Sequence, residues 1–285
     1  MLYTNKGKNK LNRTLATIAT VVFLFMFAIA TLFPIYYMII SAFGPPVESA
    51  AESYSIIPTS FTLDSFKFFF NFSPYSLRWI LNSFIVASTT TISNVIFAGM
   101  AGYAFSKIKF PGRKALFWIL LCTMMVPYQV VQVPLYILVV NILKMSDSYR
   151  ALILPGLAGI YNIFLMKQFL ASLPYELIEA AKIDGCSHGR IFFQIVVPLS
   201  KTVLAVIAIF TFMDNWNTFF WPLLVTKSIS METIQVGLTN FRFANTTYFS
   251  PMMAGATIAA LPMFILFFSL QKYFLQGVTV GAIKG

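Results

Sequence analysis

One charged segment interrupts the apolar second half of this chain: EAAKIDGCSHGRIFFQIVVPL, residues 179–199. A few turn residues would be enough to connect two membrane spans, yet this connection extends over about residues 171–200. Its first part has the pattern of a helix, whose apolar face is formed by Ile178, Ala180, Ala181 and Ile183. A long and ordered connection predicts a docking surface for a partner protein.

The composition indicates that the bilayer is the solvent for the rest of the chain. Hydrophobic residues make up 58% of the 285 residues, and charged residues make up 10%. A soluble domain carries about 25% charged residues, so this chain has too few charges to cover a soluble surface. The net charge of +11 is scattered between apolar runs and forms no basic helix face, which argues against nucleic acid as a partner.

Six runs, uncharged apart from Asp214, predict the membrane spans. They are bounded by Arg13–Glu48, Arg78–Lys107, Lys114–Lys144, Arg150–Lys167, Lys201–Lys227 and Arg242–Lys272. A helix needs about 20 apolar residues to cross the hydrocarbon, and open strands cannot cross lipid. The fourth run encloses 16 residues, but a snorkelling Lys167 would let its helix continue toward Leu170. The sequence therefore predicts an all-α integral membrane protein with six transmembrane helices.

The distribution of Lys and Arg predicts the orientation. If the N-terminus is inside, the inner segments hold 14 of these residues and the outer segments hold 6. Lys and Arg accumulate on the cytoplasmic side of membrane proteins. We therefore expect a cytoplasmic tail at residues 1–13, a transmembrane domain at 14–275, and a second cytoplasmic tail at 276–285. The charged segment lies on the cytoplasmic side in this topology.

Prolines within the later spans predict bends. They are Pro127, Pro134, Pro155, Pro222 and Pro262. Each proline removes a backbone hydrogen bond and tends to kink a helix. One interpretation is that the membrane helices simply tolerate these prolines. The other is that the prolines kink helices that line a transport path and move. In the short fourth span, Pro155-Gly156 with Gly159 is the predicted flexible point.

Asp184 and Gly185 are expected to end the first helix of the charged segment. Gly185 supplies the backbone freedom that a sharp helix exit needs. A second helical piece is expected from about Ser187 to Val196. An amphipathic helix on the membrane surface is the alternative for the first piece, but residues 174–190 hold three acidic residues against two basic ones.

The spacing of this segment resembles the EAA signature of ABC-importer permeases. The residues that match it are Glu179, Ala180, Ala181, Gly185, Ile195, Val197 and Pro198. The family usually has Leu at the position of Val197. Trp216-Asn217 is similar to the fifth-span motif of the sugar-importer branch, although this chain has Thr218 where that branch often has an acid. The sequence from Gln276 to Gly285 is similar to the end of maltose-permease-like subunits.

This resemblance implies the type I ABC-importer permease fold with a cytoplasmic coupling helix. The residues implied in contact with the ATPase are Glu179, Ala180, Ala181, Asp184, Gly185, Ile195 and Pro198. The implied partners are a second permease subunit in a heterodimer, two ATPase subunits and an extracellular solute-binding protein, which would contact the outer loop Thr226–Ser250. The implied substrate is a carbohydrate, an oligosaccharide, and the implied location is the bacterial cytoplasmic membrane.

No sequence motif for catalysis accompanies these spans. The chain lacks the G-x-x-x-x-G-K-[ST] pattern of a P-loop, so we expect ATP and Mg²⁺ on the partner ATPase and no cofactor on this chain. Neither a catalytic constellation nor a metal-ligand cluster is present, so we expect no enzyme and no metal site. His188, the only histidine, lies in the charged segment and is expected to face solvent or a partner.

Polar residues within the spans are candidates for the substrate path. They are Tyr128, Gln129, Gln132, Asp214, Asn215, Trp216 and Asn217. Asp214 is the one acid inside a span, and an intramembrane carboxylate is a functional candidate because it is costly to keep there. The group around Asp214 either lines a path for sugar hydroxyls or forms an inter-helix hydrogen-bonded cluster. A secondary transporter or channel that uses Asp214 as a polar intramembrane site is the alternative function.

Overall fold

The structure, a computed structural model, describes residues 5–47, 57, 60–242 and 247–282. Every regular element in these residues is a helix. The α-helices are α1 (Asn5–Ala42), α2 (Asp64–Phe72), α3 (Ser76–Lys107), α4 (Arg113–Thr123), α5 (Tyr128–Tyr136), α6 (Tyr149–Ile153), α7 (Ile160–Ala171), α8 (Glu176–Ile183), α9 (His188–Ile191), α10 (Val197–Leu199), α11 (Lys201–Asn217), α12 (Phe220–Val225), α13 (Ile234–Gly237) and α14 (Phe249–Ala282). π-helical turns lie at Ile137–Ile142 and Phe192–Val196, and 3₁₀ turns at Leu154–Gly156, Ile229–Met231 and Leu238–Phe241.

The chain forms two compact units. The first unit contains Met1–Phe72 and Phe241–Ile258. Its helix α1 is apolar, and from Arg13 to Ala42 it is long enough to cross a membrane. The phenylalanine-rich α2 packs through aromatic contacts, because the ring of Phe241 stacks on Phe69 at 5.6 Å and on Phe72 at 4.2 Å between centroids.

The second unit contains Ser73–Asn240 and Ala259–Gly285, and α3 is its central helix. α3 packs along both α7 and α11. Small residues let the backbones approach: a Cβ at Gly102 would lie 2.6 Å from Cγ of Met166 on α7. A buried apolar cluster joins these helices to the charged segment, and it includes Met166, Leu170, Ile178, Ile191 and Ile207.

The predicted spans correspond to four unpaired helical segments and two bent pairs. The unpaired segments are Arg13–Ala42, Ser76–Lys107, Tyr149–Ala171, which includes the 3₁₀ turn between α6 and α7, and Phe249–Ser269. The bent pairs are Arg113–Thr123 with Tyr128–Ile142, at 91°, and His188–Leu199 with Lys201–Asn217, at 79°. By length and composition the described residues therefore provide four spans, or up to six if each bent pair is one span.

The prolines explain two of the breaks. Pro127 has extended backbone angles and immediately precedes α5, so the helical hydrogen bonding of α4 is not continued there. A 3₁₀ turn at Leu154–Gly156 separates α6 from α7, which is the break predicted at Pro155-Gly156.

The two predicted tails lie partly within helices. α1 begins at Asn5 and α14 extends through Ala282, so helix continues into the segments 1–13 and 276–285. Residues 1–4 and 283–285, which belong to those predicted tails, lie outside the described residues.

Candidate functional site

The first helix of the charged segment ends where the sequence predicts. α8 runs over Glu176–Ile183 with Glu176 and Glu179 in its first turn, where carboxylates suit the positive end of the helix dipole. Gly185 has a φ of +77°. This left-handed residue lets the N–H of Cys186 donate to the carbonyl of Ala181 at 2.9 Å, which closes the helix C-terminus.

One face of α8 packs against the core of this chain, and the other is exposed. Ile178 and Ala181 are buried, with Ala181 only 6% exposed. The exposed residues of the predicted docking set are Glu179, Ala180, Asp184, Gly185 and Pro198, while Ile195 is half-buried. Ala181 therefore supports α8 from inside, and the interpretation that its small side chain faces a partner is corrected.

Ile183, which the sequence groups with Ile178 on the apolar face of this helix, is exposed. Its side chain is 87% exposed. Residues three or four apart share a helix face, so Ile178 and Ala181 lie together, whereas Ile183 is five residues from Ile178 and lies on another side. The exposed end of α8 thus presents an apolar side chain between two carboxylates, those of Glu179 and Asp184.

The residues on either side of α8 are fastened to the last turns of α3. Lys107 donates from Nζ to the carbonyl of Leu173 at 2.6 Å, just before α8. After α8, the hydroxyl of Tyr103 lies 3.0 Å from Nδ1 of His188. His188 was expected to face solvent or a partner, and the structure adds this contact inside the chain. A displacement of α8 would therefore act directly on α3.

A cavity of about 770 Å³ lies farther along the same helices. Its polar lining residues are Asn94, Tyr128, Tyr161, Asn162, Thr211, Asp214, Asn215 and Thr218. Trp221 and several aliphatic residues form the apolar part of the wall. Among the described lining residues, Asp214 is the one charged group. Hydroxyl, amide and carboxylate groups beside aromatic rings suit a polar uncharged ligand.

The structure brings three of the seven predicted path residues to this cavity: Tyr128, Asp214 and Asn215. Gln129 and Gln132 are not among its lining residues. Trp216 is 1% exposed and donates from Nε1 to the carbonyl of Ala259 at 2.9 Å, so it fixes helix packing.

Asn217, the last of the seven, is exposed and lies outside the cavity lining. Its Nδ2 donates to the carbonyl of Met213 at 2.8 Å. Asn217 therefore bonds within α11, as Asn215 does through the carbonyl of Thr211 at 2.8 Å.

The main inter-helix hydrogen-bonded cluster is centred on Asn94, which sequence reasoning did not select. Asn94 is 2% exposed. Its Nδ2 donates to the carbonyl of Gly156 at 2.7 Å, and its Oδ1 accepts from the N–H of Gly159 at 2.6 Å. The Asn94 amide thus satisfies backbone groups that the break between α6 and α7 leaves without helical partners. The signal for this cluster that the sequence does contain is a polar, uncharged Asn inside an apolar run.

The same cluster extends from Asn94 to α11. Nδ2 of Asn162 lies 2.9 Å from Oδ1 of Asn94 and 3.0 Å from Oγ1 of Thr211. A Cβ at Gly159 would lie 2.9 Å from Oδ1 of Asn94, so glycine is required at this close approach. The cluster predicted around Asp214 is therefore found one turn earlier on α11, at Thr211, and it forms part of the cavity wall.

The segment after α12 is tied to the start of α3 and to the residues before α6. Nε1 of Trp79 donates to the carbonyl of Ile229 at 2.8 Å, and Nδ2 of Asn82 donates to the carbonyl of Glu232 at 2.8 Å. Burial raises the pKa of the Glu232 carboxyl, against the lowering effect of its bond from Asn240. Residues 243–246 of the predicted outer loop 226–250 lie outside the described residues.

Asp147 forms a second fastening of this segment. Its Oδ1 accepts from the N–H of Lys227 and the N–H of Ser228, each at 2.9 Å, and from the Ser228 hydroxyl at 3.0 Å. Partial burial acts to raise the pKa of the Asp147 carboxyl, but these hydrogen bonds and the Lys227 charge outweigh burial and hold the pKa below its ordinary value. The ionised form of Asp147 is therefore the one that the fold stabilises.

Comparisons with known proteins agree with this architecture. AraQ of Bacillus subtilis (strain 168), an arabinooligosaccharides transport system permease protein, is 34% identical over 270 residues, which cover 94% of this chain and 96% of AraQ. UgpE of Escherichia coli O1:K1 / APEC, an sn-glycerol-3-phosphate transport system permease protein, is 33% identical over 275 residues, which cover 94% of this chain and 97% of UgpE.

A solved structure shares the fold. It is the crystal structure of a bacterial ABC transporter involved in the import of the acidic polysaccharide alginate, and the matching chain has a TM-score of 0.82 at 21% identity, with coverage of 92% of this chain and 98% of that one. Residues 94–280 also match the family described as binding-protein-dependent transport system inner membrane component. The resemblance to ABC-importer permeases is thus confirmed, and the chain belongs to the family of binding-protein-dependent transport system inner membrane components.

Proposed function

We propose that this permease subunit imports a carbohydrate, specifically an uncharged oligosaccharide, in an ATP-driven ABC importer. The observation that carries the proposal is the cavity beside α3, α7 and α11, whose wall combines amides, hydroxyls and aromatic rings with one carboxylate. Such groups bind sugar hydroxyls through hydrogen bonds and sugar faces through apolar contact. A relative named for arabinooligosaccharide transport, 34% identical over 94% of this chain, supports this substrate class.

The complex we propose contains a second permease subunit, two ATPase subunits and an extracellular solute-binding protein. ATP and Mg²⁺ would be bound by the ATPase subunits, and this chain would bind neither. In this arrangement each bent helix pair forms one span, so that six helices cross the bacterial cytoplasmic membrane with both termini in the cytoplasm. The excess of Lys and Arg in the inner segments, 14 against 6, supports the orientation.

Coupling would begin at the exposed face of α8. Glu179, Ala180 and Ile183 would contact an ATPase groove, with Ile183 as the apolar centre of that contact. Movement of α8 would pass to α3 through the contacts at Lys107 and Tyr103, and α3 carries Asn94 at the cavity wall. ATP binding would thereby shift the population between inward-facing and outward-facing states.

Asp214 would bind sugar hydroxyls as a hydrogen-bond acceptor. Its side chain is exposed and lines the cavity together with Asn215. A charged acceptor forms stronger hydrogen bonds than a neutral one. The alternative role for Asp214, as the coupling site of a secondary transporter or channel, rests on the same exposed carboxylate.

Reconstitution in liposomes tests the proposal. The chain is assembled with its partner permease, ATPase and binding protein, and uptake of a labelled arabinose oligosaccharide is measured with and without internal ATP. We expect uptake only in the complete, ATP-supplied assembly, and about a tenfold lower rate for Asp214→Asn, as expected for losing one charged hydrogen bond. Uptake by the purified chain alone, driven by an ion gradient, would establish the alternative instead.

A further inference from the structure

A second cavity, of about 470 Å³, lies between α4 and α7 and has no role in the path described above. Its lining residues are Phe105, Arg113, Lys114, Phe117, Trp118, Leu121, Phe164, Lys167 and Gln168. Three of these described side chains are cationic, and none is acidic. We propose that this pocket binds the headgroup of an anionic phospholipid, with an acyl chain along its aromatic wall.

Among the described residues, no acid forms an ion pair with these three cations. The ion pair that the described part of the chain contains joins Lys67 to Asp64, which lie in the other compact unit. Arg113 is half-buried and donates from Nη1 to the carbonyl of Ile108 at 3.0 Å. Nζ of Lys167 lies 4.8 Å from the ring centroid of Phe117 and 3.4 Å from Oε1 of Gln168. Like charges gathered in one pocket repel one another, and a bound anion removes that repulsion.

The donors suit a phosphate group. The guanidinium of Arg113 offers a planar fork of N–H donors that matches phosphate oxygens, and the Lys114 and Lys167 ammonium groups add point charges. α4 begins at Arg113 after a left-handed Gly112, whose position provides no side-chain cap for the first turn. The positive end of this helix dipole therefore adds to the charge of the three side chains.

The wall of the pocket distinguishes a lipid from a soluble anion. Trp118 is 65% exposed, and Phe117, Phe164 and Leu121 add apolar surface to the wall, with the ring of Phe117 in contact with the Lys167 ammonium. A free phosphate would use the cationic end and leave this wall empty, whereas a phospholipid fills both parts. Basic pockets between membrane helices on the cytoplasmic side bind anionic lipid headgroups in this way.

The position of the pocket within its compact unit agrees with a headgroup site. Phe105, on its wall, lies on α3 between Tyr103 and Lys107, the residues that fasten the charged segment. The cations of the pocket are thus at the docking end of α3, where the Lys and Arg count predicts the cytoplasmic leaflet. A lipid bound there would lie beside the junction between the charged segment and the membrane spans.

Lipid retention by the assembled transporter tests the proposal. The complex is reconstituted in nanodiscs of phosphatidylcholine with added phosphatidylglycerol, extracted in mild detergent, and examined by native mass spectrometry for bound phosphatidylglycerol. One variant combines Arg113→Gln, Lys114→Gln and Lys167→Gln. Its matched control combines Arg113→Lys, Lys114→Arg and Lys167→Arg, which changes the same three side chains and keeps their charge.

We expect at least about a tenfold loss of bound phosphatidylglycerol in the neutral variant and native retention in the charge-keeping control. Phosphatidylglycerol should also raise the melting temperature of the native complex and not that of the neutral variant. Equal retention in both variants would overturn the proposal. An equal rise in melting temperature with inorganic phosphate would also overturn it, because the ligand would then be a soluble anion. Phosphatidylglycerol binding that is found with the isolated chain and is lost in the complex would overturn it as well, because the partner subunit would then cover the pocket.

Discussion

The hydroxyl of Tyr103 lies 3.0 Å from Nδ1 of His188. The first residue belongs to the central helix α3, and the second opens α9, the helical piece that follows α8. Their rings meet edge to face at 6.0 Å between centroids, and Tyr103 also contacts Phe192 at 5.9 Å. The contact joins the charged segment to the helix that carries Asn94 at the cavity wall.

Removing the Tyr103 hydroxyl should uncouple transport from ATP hydrolysis without unfolding the chain. Tyr103→Phe keeps the ring contacts and deletes one hydrogen bond worth about 1 kcal/mol, which corresponds to about a fivefold change in the coupled equilibrium. We expect a lower number of sugar molecules transported per ATP in proteoliposomes. A double-mutant cycle with His188→Ala provides the control, because the double variant should be no worse than either single one. Additive losses would mean that the two residues act separately.

Gly185→Ala should weaken the end of α8 through backbone conformation alone. A Cβ at Gly185 would meet no atom of the described residues within 4 Å, but its φ of +77° costs an L-residue about 1 kcal/mol. We expect reduced stimulation of the ATPase by this permease and a lower melting temperature. Gly185→Asn, which tolerates the left-handed conformation better, should recover part of both.

Gly189→Ala is the matched control for this prediction. A Cβ at Gly189 would also meet no atom of the described residues within 4 Å, and this glycine lies in α9 without a positive φ. Alanine should therefore be neutral or stabilise that helix by up to about 1 kcal/mol. Equal losses of ATPase stimulation and of melting temperature at the two glycines would show that the volume of the added methyl group, and not the backbone angle, causes the effect.

Asn94→Ala should be among the most destabilising substitutions in this chain. It would leave the half-buried N–H of Gly159 and carbonyl of Gly156 without their partner, at a cost of about 1–3 kcal/mol. Thermal unfolding in detergent measures the loss of stability. The exposed Asn217, which bonds only within its own turn and to the sulfur of Met263, is the comparison: Asn217→Ala should change the free energy of unfolding by less than about 0.5 kcal/mol.

Asp147 makes the stability of the chain depend on acid pH. Its folded pKa is lowered from the ordinary value of 3.8, so its contribution is present above that value and is lost as pH falls through the folded pKa. Asp147→Asn should therefore lower the melting temperature at neutral pH, and the difference from the native chain should shrink below about pH 4. Asp64→Asn, at an exposed ion pair, should show a much smaller effect at neutral pH.

The parts of the site that follow from local sequence were predictable. The acidic first turn, the paired alanines and Gly185 lie within a few residues of one another, and their order specifies a helix with a sharp exit. The break at Pro155-Gly156 could be predicted for the same reason, because the two residues that cause it are adjacent in the sequence. Apolar residue type alone does not predict the exposure of Ile183, but its spacing of five residues from Ile178 places the two on different faces.

The Asn94 cluster could not be predicted in this way. Its partners are backbone atoms of Gly156 and Gly159, which are 62 and 65 residues away along the chain. Helical periodicity reports which side of a span is apolar, and it contains no information on which broken backbone lies opposite a given amide. Pro127 marks the place of the bend between α4 and α5, but a proline in the sequence does not specify the angle of 91°.

The π-helical turn at Phe192–Val196 has a consequence for how this chain can change length. A π-helical turn holds one residue more than the α-helix around it needs. Deleting a single residue there would therefore leave the flanking helices in their present orientation, whereas a deletion inside α11 would rotate every later side chain by about 100° around the helix axis. In this chain the fold should accordingly tolerate a single-residue deletion at this turn better than a deletion in the helix that follows it.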